Sequence, residues 1–171
     1  LLESSGFSWS RRSAAPSAND PLSDIILLDS IGELRAVYPL AKLVFMGGSL
    51  APTGGHNILE PAAAGVCTVT GAHTFNFKAI VEAFLQSDAL IQLPMVAEGD
   101  APSTLSRVLV ELLADENRRQ TVGENARAVL EKNRGATALT IKLLAPLFAS
   151  ASNQLERGEM EGARADDALS A

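Results

Sequence analysis

Gly47-Gly48-Ser49-Leu50 and, after Ala51-Pro52-Thr53, Gly54-Gly55-His56-Asn57-Ile58-Leu59-Glu60-Pro61 follow directly on the apolar run Leu43-Val44-Phe45-Met46. A short apolar strand that ends in glycines and leads into a helix start is a common way to build an anion site. Glycine lets the backbone turn sharply and lets a ligand approach closely. The free N–H groups at the following helix start then face that ligand. Glu60 adds a carboxylate that can accept hydrogen bonds from sugar hydroxyls. The stretch therefore points to a nucleotide-sugar or sugar-phosphate site at the edge of a parallel sheet. Gly47-Gly48 taken alone reads equally as a tight turn. The spacing fits neither a P-loop nor the dinucleotide fingerprint, and no lysine follows the glycines to reach a phosphate.

The rest of the chain alternates short apolar strands with helices. Residues 7–12 read as a strand, 14–23 as a loop, Ile25 to Leu28 as a strand bounded by Asp24 and Asp29, and Leu34, Val37, Tyr38 and Ala41 as a helix after Gly32. Pro61 suits the first helical position, so Asn57 to Glu60 are read as an irregular turn lining the cleft. Val66 to Thr70 is a buried strand. Asn76 is read as the cap of a helix with the face Phe77, Ile80, Val81, Phe84 and Leu85. Leu90 to Leu93 is the last strand. Ser103 and Asp115 are read as caps of two further helices, and a final amphipathic helix carries Leu139, Leu143, Leu144 and Leu147. This alternation implies an α/β fold, a Rossmann-like doubly wound parallel sheet. Ligands in such sheets bind beyond the carboxyl ends of the strands, where the segments after Leu28, Met46 and Thr70 lie.

Composition bounds the function. The 171 residues are 47% hydrophobic and 20% charged, as in a globular domain with a substantial core. A net charge of −6 argues against a general nucleic-acid surface. The single Cys67, within Val66 to Val69, is read as a small buried core residue. No run approaches the ~20 apolar residues of a membrane helix. The opening Leu1-Leu2-Glu3-Ser4-Ser5-Gly6 reads as the last turn of a helix stopped by Gly6, which places the beginning of the domain upstream. Residues 1–149 are taken as one domain and 150–171 as a polar, disordered tail.

The combined motif Gly47-Gly48-Ser49-Leu50, Gly54-Gly55-His56-Asn57 and Leu59-Glu60-Pro61-Ala62 resembles the signature of the Kdo transferases. These enzymes move 3-deoxy-D-manno-octulosonic acid (Kdo) from CMP-Kdo onto lipid A precursors. Arg12-Ser13, Leu27-Leu28-Asp29-Ser30-Ile31-Gly32-Glu33-Leu34, Gly71-Ala72-His73-Thr74-Phe75-Asn76-Phe77-Lys78 and Asn133-Arg134-Gly135-Ala136 extend the resemblance in the same order, over roughly residues 1–148. Two departures are visible. Ser30-Ile31 stands where the family has Thr-Met, and Gly71-Ala72 where it has Gly-Pro.

The resemblance implies the C-terminal, donor-binding half of a GT-B glycosyltransferase, with Arg12, Ile31, Gly32, Glu33, Gly48, Ser49, Gly54, Gly55, His56, Asn57, Glu60 and His73 as the substrate-binding set. Glu60 would hold the ribose hydroxyls, and backbone N–H groups of Ile31, Gly32 and Glu33 would touch the nucleotide. Asn57 reads alternatively as a local turn residue, Ser49 as a loop hydroxyl, Glu33 as a helix-dipole partner and Arg12 as a surface charge. The family's catalytic base lies in a separate N-terminal domain, so no catalytic residue is assigned and the chain alone is expected to be inactive. The implied partners are CMP-Kdo, a lipid A precursor, that N-terminal domain and, through it, the cytoplasmic face of the bacterial inner membrane. No metal or cofactor is implied. A UDP-sugar enzyme of the same architecture and a non-catalytic nucleotide-binding domain are the alternatives. CMP, UMP and UDP binding separates all three.

Overall fold

The computed structural model describes residues 1–17, 20–135 and 140–146. The chain divides into two compact units, residues 1–130 and 131–171. In the second, residues 140–146 are helical, while Leu139, Leu147 and the expected tail lie outside the described residues.

The first unit is built on five strands, each parallel to its hydrogen-bonded neighbours: β1 (Trp9–Arg11), β2 (Ile25–Leu27), β3 (Val44–Met46), β4 (Thr68–Thr70) and β5 (Ile91–Gln92). Hydrogen bonding divides them into two ladders, β1-β2 and β3-β4-β5. Trp9 is in register with Ile25 in the first. Met46, Thr70 and Gln92 are in register across the second. Five α-helices connect and cover the strands: α1 (Leu34–Val37), α2 (Leu59–Ala64), α3 (Lys78–Gln86), α4 (Ala101–Ala114) and α5 (Glu116–Asn133).

The apolar residues of the second ladder alternate between two cores, as a sheet covered on both faces requires. Val44 and Met46 join Ile58, Ala62, Val81 and Phe84 on the α2–α3 face. Leu43 and Phe45 join Cys67, Val69, Leu93 and Leu112 on the α4 face. α5 contributes Ala126 to the first core and Val122 to the second. It comes close because Gly123 has no side chain: a Cβ there would collide with the carbonyl oxygen of Gly65. Cys67 is buried as expected, and burial pushes its thiol pKa up.

Three helix starts differ from expectation. α2 begins at Leu59 rather than Pro61, so Glu60 is part of its first turn. Asn57 provides the turn into it, its Oδ1 accepting the Leu59 N–H at 3.0 Å. α4 begins at Ala101, with Pro102 in its first turn and the Ser103 hydroxyl donating back to the Asp100 carbonyl at 2.9 Å. Asn76 does not cap α3. The helix starts at Lys78 without a side-chain cap, and the Asn76 amide donates to the Thr53 carbonyl instead, at 3.3 Å. Asp115 does cap α5, accepting the Arg118 N–H at 2.9 Å.

Candidate functional site

The segments that leave the carboxyl ends of β1 to β4 carry all the candidate residues. The loop after β3 folds on its own polar atoms. The Gly48 carbonyl accepts the Gly55 N–H at 2.7 Å and the Thr53 hydroxyl at 2.6 Å. Gly54 has φ +95°, and a Cβ on it would strike the Asn76 amide. A Cβ on Gly48 would lie 2.9 Å from His56 Nε2, so the imidazole packs against that glycine. Gly55 faces the His73 carbonyl in the same way, at 3.3 Å. These three glycines have an internal reason to be glycine. Gly47 differs: it is exposed and a Cβ there would meet nothing within 4 Å.

Ser49 is fully buried. Its hydroxyl donates to the Met46 carbonyl at 2.5 Å and accepts the Gly71 N–H at 2.8 Å. Its carbonyl accepts the His73 N–H at 3.0 Å. The residue joins the ends of β3 and β4, and its buried hydroxyl is engaged on both sides. The Asn57 carboxamide oxygen is likewise engaged, by Leu59. His56, by contrast, is exposed on the loop and His73 is half-buried.

The ends of β1 and β2 form a second polar group. Arg12 Nη2 donates to Glu33 Oε1 at 2.9 Å, and the other Glu33 oxygen accepts the Ser30 hydroxyl. Asp29 accepts the Ser13 N–H at 3.0 Å and the Ser13 hydroxyl at 2.6 Å, and lies 3.5 Å from Arg11. The Ser13 hydroxyl above all holds the Asp29 carboxyl pKa below its ordinary value. The Glu33 carboxylate is thus turned to Arg12 and Ser30. Ile31 and Gly32 are exposed at the tip of the turn, and a Cβ on Gly32 would meet nothing.

Glu60 and His73 stand in different clefts. His73 lines a cavity of about 370 Å³ with Thr74, Phe75, Lys78, Gln92 and Met95. Glu60 lines one of about 390 Å³ with Arg35, Leu59, Ala63 and Leu130. Its charge also bears on the buried Tyr38, whose hydroxyl pKa is raised first by burial and then by Glu60. Arg35 carries no motif and sequence reasoning missed it. Its only signal is its place two residues after Glu33. No group of three metal-ligating side chains occurs among the described residues. No described helix is long and apolar enough to cross a membrane.

Comparison with known proteins points to one family. The chain is 37% identical over 84% of its length to a 3-deoxy-D-manno-octulosonic acid transferase of Bordetella pertussis. It is 36% identical over 85% of its length to one of Haemophilus influenzae. It spans about a third of the length of these relatives, 32% and 33%. Among solved structures it resembles the C-terminal CMP-Kdo binding domain of WaaA from Acinetobacter baumannii, with 35% identity and a TM-score of 0.63. That likeness covers 72% of this chain and 61% of the other. No family model matches the chain.

Proposed function

We propose, for a chain that is homologous over most of its length to the 3-deoxy-D-manno-octulosonic acid transferases, that it supplies the CMP-Kdo donor site of such an enzyme. The observation that carries the proposal is its likeness to a domain described as binding CMP-Kdo, at 35% identity over 72% of the chain. The motif segments after β1, β2, β3 and β4 all lie at the carboxyl ends of parallel strands, where ligands of such sheets bind. The whole enzyme transfers Kdo to a lipid A precursor at the cytoplasmic face of the inner membrane.

In this reading the nucleotide lies across the strand ends. Glu60 accepts hydrogen bonds from the ribose hydroxyls. The exposed Gly47 and Gly32 let the phosphate and the nucleotide approach the backbone. Arg12, oriented by Glu33, supplies positive charge, and His73 a hydrogen-bond donor, for the phosphate and the sugar carboxylate.

Transfer breaks the bond between the Kdo anomeric carbon and the phosphate oxygen. CMP leaves with the electron pair, an acceptor hydroxyl forms the new bond, and its proton passes to a base outside this chain. The residues named here stabilise the charge that develops on the leaving phosphate.

Calorimetric titration of the protein with CMP, UMP and UDP tests the proposal. Preferential CMP binding, weakened in Glu60→Gln without loss of thermal stability, is the expected result. Preference for UDP would indicate a different nucleotide-sugar enzyme, and binding of none of the three would remove the donor-site reading.

A further inference from the structure

The cleft that contains Glu60 also contains a cation that belongs to no motif. Arg35, in α1, and Glu60, in α2, line the same cavity of about 390 Å³. Both are exposed, and neither is in an ion pair with the other or with any other described residue. Their charged ends therefore stand further apart than an ion pair allows, each with free hydrogen-bonding capacity. The rest of the cavity lining is apolar: Pro39, Leu59, Ala63, Ala64 and Leu130. A small planar ring fits such walls. Polar groups at its edge would then meet the charged side chains at the mouth.

The direction of the bound nucleotide follows from the donor-site reading, on which this inference rests. If Glu60 holds the ribose hydroxyls and the exposed Gly47 turn faces the phosphate, the base projects from the far side of the ribose, into the cleft shared with Arg35. Arginine offers five N–H donors and no acceptor. Cytosine presents two adjacent acceptors, O2 and N3. Uracil has the same O2 but carries a proton on N3, which would oppose an arginine donor.

We propose that Arg35 is a specificity-determining residue that reads the base of the nucleotide, its guanidinium donating to O2 and N3 of a cytosine ring lying on the apolar floor beyond Glu60. It takes no part in bond breaking. It selects a cytidine nucleotide over a uridine nucleotide.

Calorimetry on the complete protein with CMP, UMP and ribose 5-phosphate, for the parent and for Arg35→Leu, tests this. Leucine keeps helix propensity at an exposed position, so the melting temperature should be unchanged. The expected result is a loss of CMP affinity of about 10- to 100-fold, the discrimination a bidentate arginine contact supplies. UMP and ribose 5-phosphate should be bound as before, and the CMP-to-UMP preference should collapse towards unity. An equal loss for all three ligands would make Arg35 a phosphate contact and overturn the proposal, as would an unchanged CMP-to-UMP ratio. If the parent bound none of the three, the donor-site reading itself would fall and this inference with it.

Discussion

The hydroxyl of Ser49 accepts the Gly71 N–H at 2.8 Å, joining the turns that follow β3 and β4 across 22 residues of sequence. With its second bond, to the Met46 carbonyl, the side chain bridges a carbonyl at the end of β3 and an N–H just beyond β4. Ser49→Ala leaves the Gly71 N–H buried without a partner. It should destabilise the protein by ~1–3 kcal/mol, the cost of an unmade buried hydrogen bond. Affinity for CMP in the folded protein should stay within about twofold. Denaturant unfolding and calorimetry on the same sample check both halves. A large loss of affinity with unchanged stability would return Ser49 to the ligand site.

The glycines of the loop separate in the same way. At Gly54 the φ of +95° and the contact with Asn76 make Gly54→Ala strained. Its main effect should be a loss of ~1–3 kcal/mol of stability, the range for a non-glycine residue held in such a conformation. Gly47→Ala adds a methyl group to open space. It should melt like the parent and yet bind CMP at least about tenfold more weakly, because in the proposed donor site the methyl group stands where the phosphate approaches. Normal CMP binding by Gly47→Ala would mean that the ligand does not approach this turn.

Much of the fold was legible because the strands are apolar runs bounded by turn residues. β2, β3 and β4 fall within the stretches 25–28, 43–46 and 66–70, shortened at one end. The start of α2 was read two residues late, because Pro61 is compatible with any position in a first helical turn. What sequence cannot display is competition for a polar group by a distant partner. Asn76 looks like a helix cap, but the Thr53 carbonyl, 23 residues away, takes its amide. Ser49 reads as a ligand contact or a loop hydroxyl, and it is buried. The cleft shared by Arg35 and Glu60 depends on α1 lying beside α2, which no local pattern specifies. The motif spacing placed the candidate residues at the strand ends, but did not show which of their side chains are engaged by other groups there.

Acid should loosen the β1–β2 ladder first. Asp24 accepts both the N–H and the hydroxyl of Ser8, and Asp29 does the same for Ser13. Both carboxyl groups titrate below their ordinary value of 3.8 in the folded protein, chiefly because of these serine hydroxyls. A folded pKa below the unfolded one gives stabilisation that is fully present above the unfolded value. It is lost as pH falls through the folded one. Amide exchange at Ser8 and Ser13 should therefore be slow, relative to intrinsic rates, down to about pH 4 and lose protection below it. The centre of the β3-β4-β5 ladder, which has no such carboxylate, should keep its protection further into acid. Simultaneous loss in both ladders would show that these two aspartates are not the acid-sensitive points.

Glu33 holds Arg12 at 2.9 Å with its other oxygen engaged by Ser30, yet the side chains of the pair are 56% and 38% exposed. An exposed pair contributes only ~0–1 kcal/mol to stability, so neither Arg12→Ala nor Glu33→Gln should move the melting temperature far. In the proposed donor site their effect falls on ligand binding. Arg12→Ala should weaken CMP binding by about tenfold, the low end for a hydrogen bond to a charged group, and leave the phosphate-free nucleoside cytidine unaffected. Glu33→Gln frees Arg12 to sample other rotamers and should reproduce part of that loss. The double variant should then bind CMP no worse than Arg12→Ala alone, because the glutamate acts only through the arginine. The losses should shrink as ionic strength rises. Fully additive losses would show that Glu33 touches the nucleotide itself. Tighter CMP binding by Glu33→Gln would show that its carboxylate repels the phosphate instead of positioning the arginine that meets it.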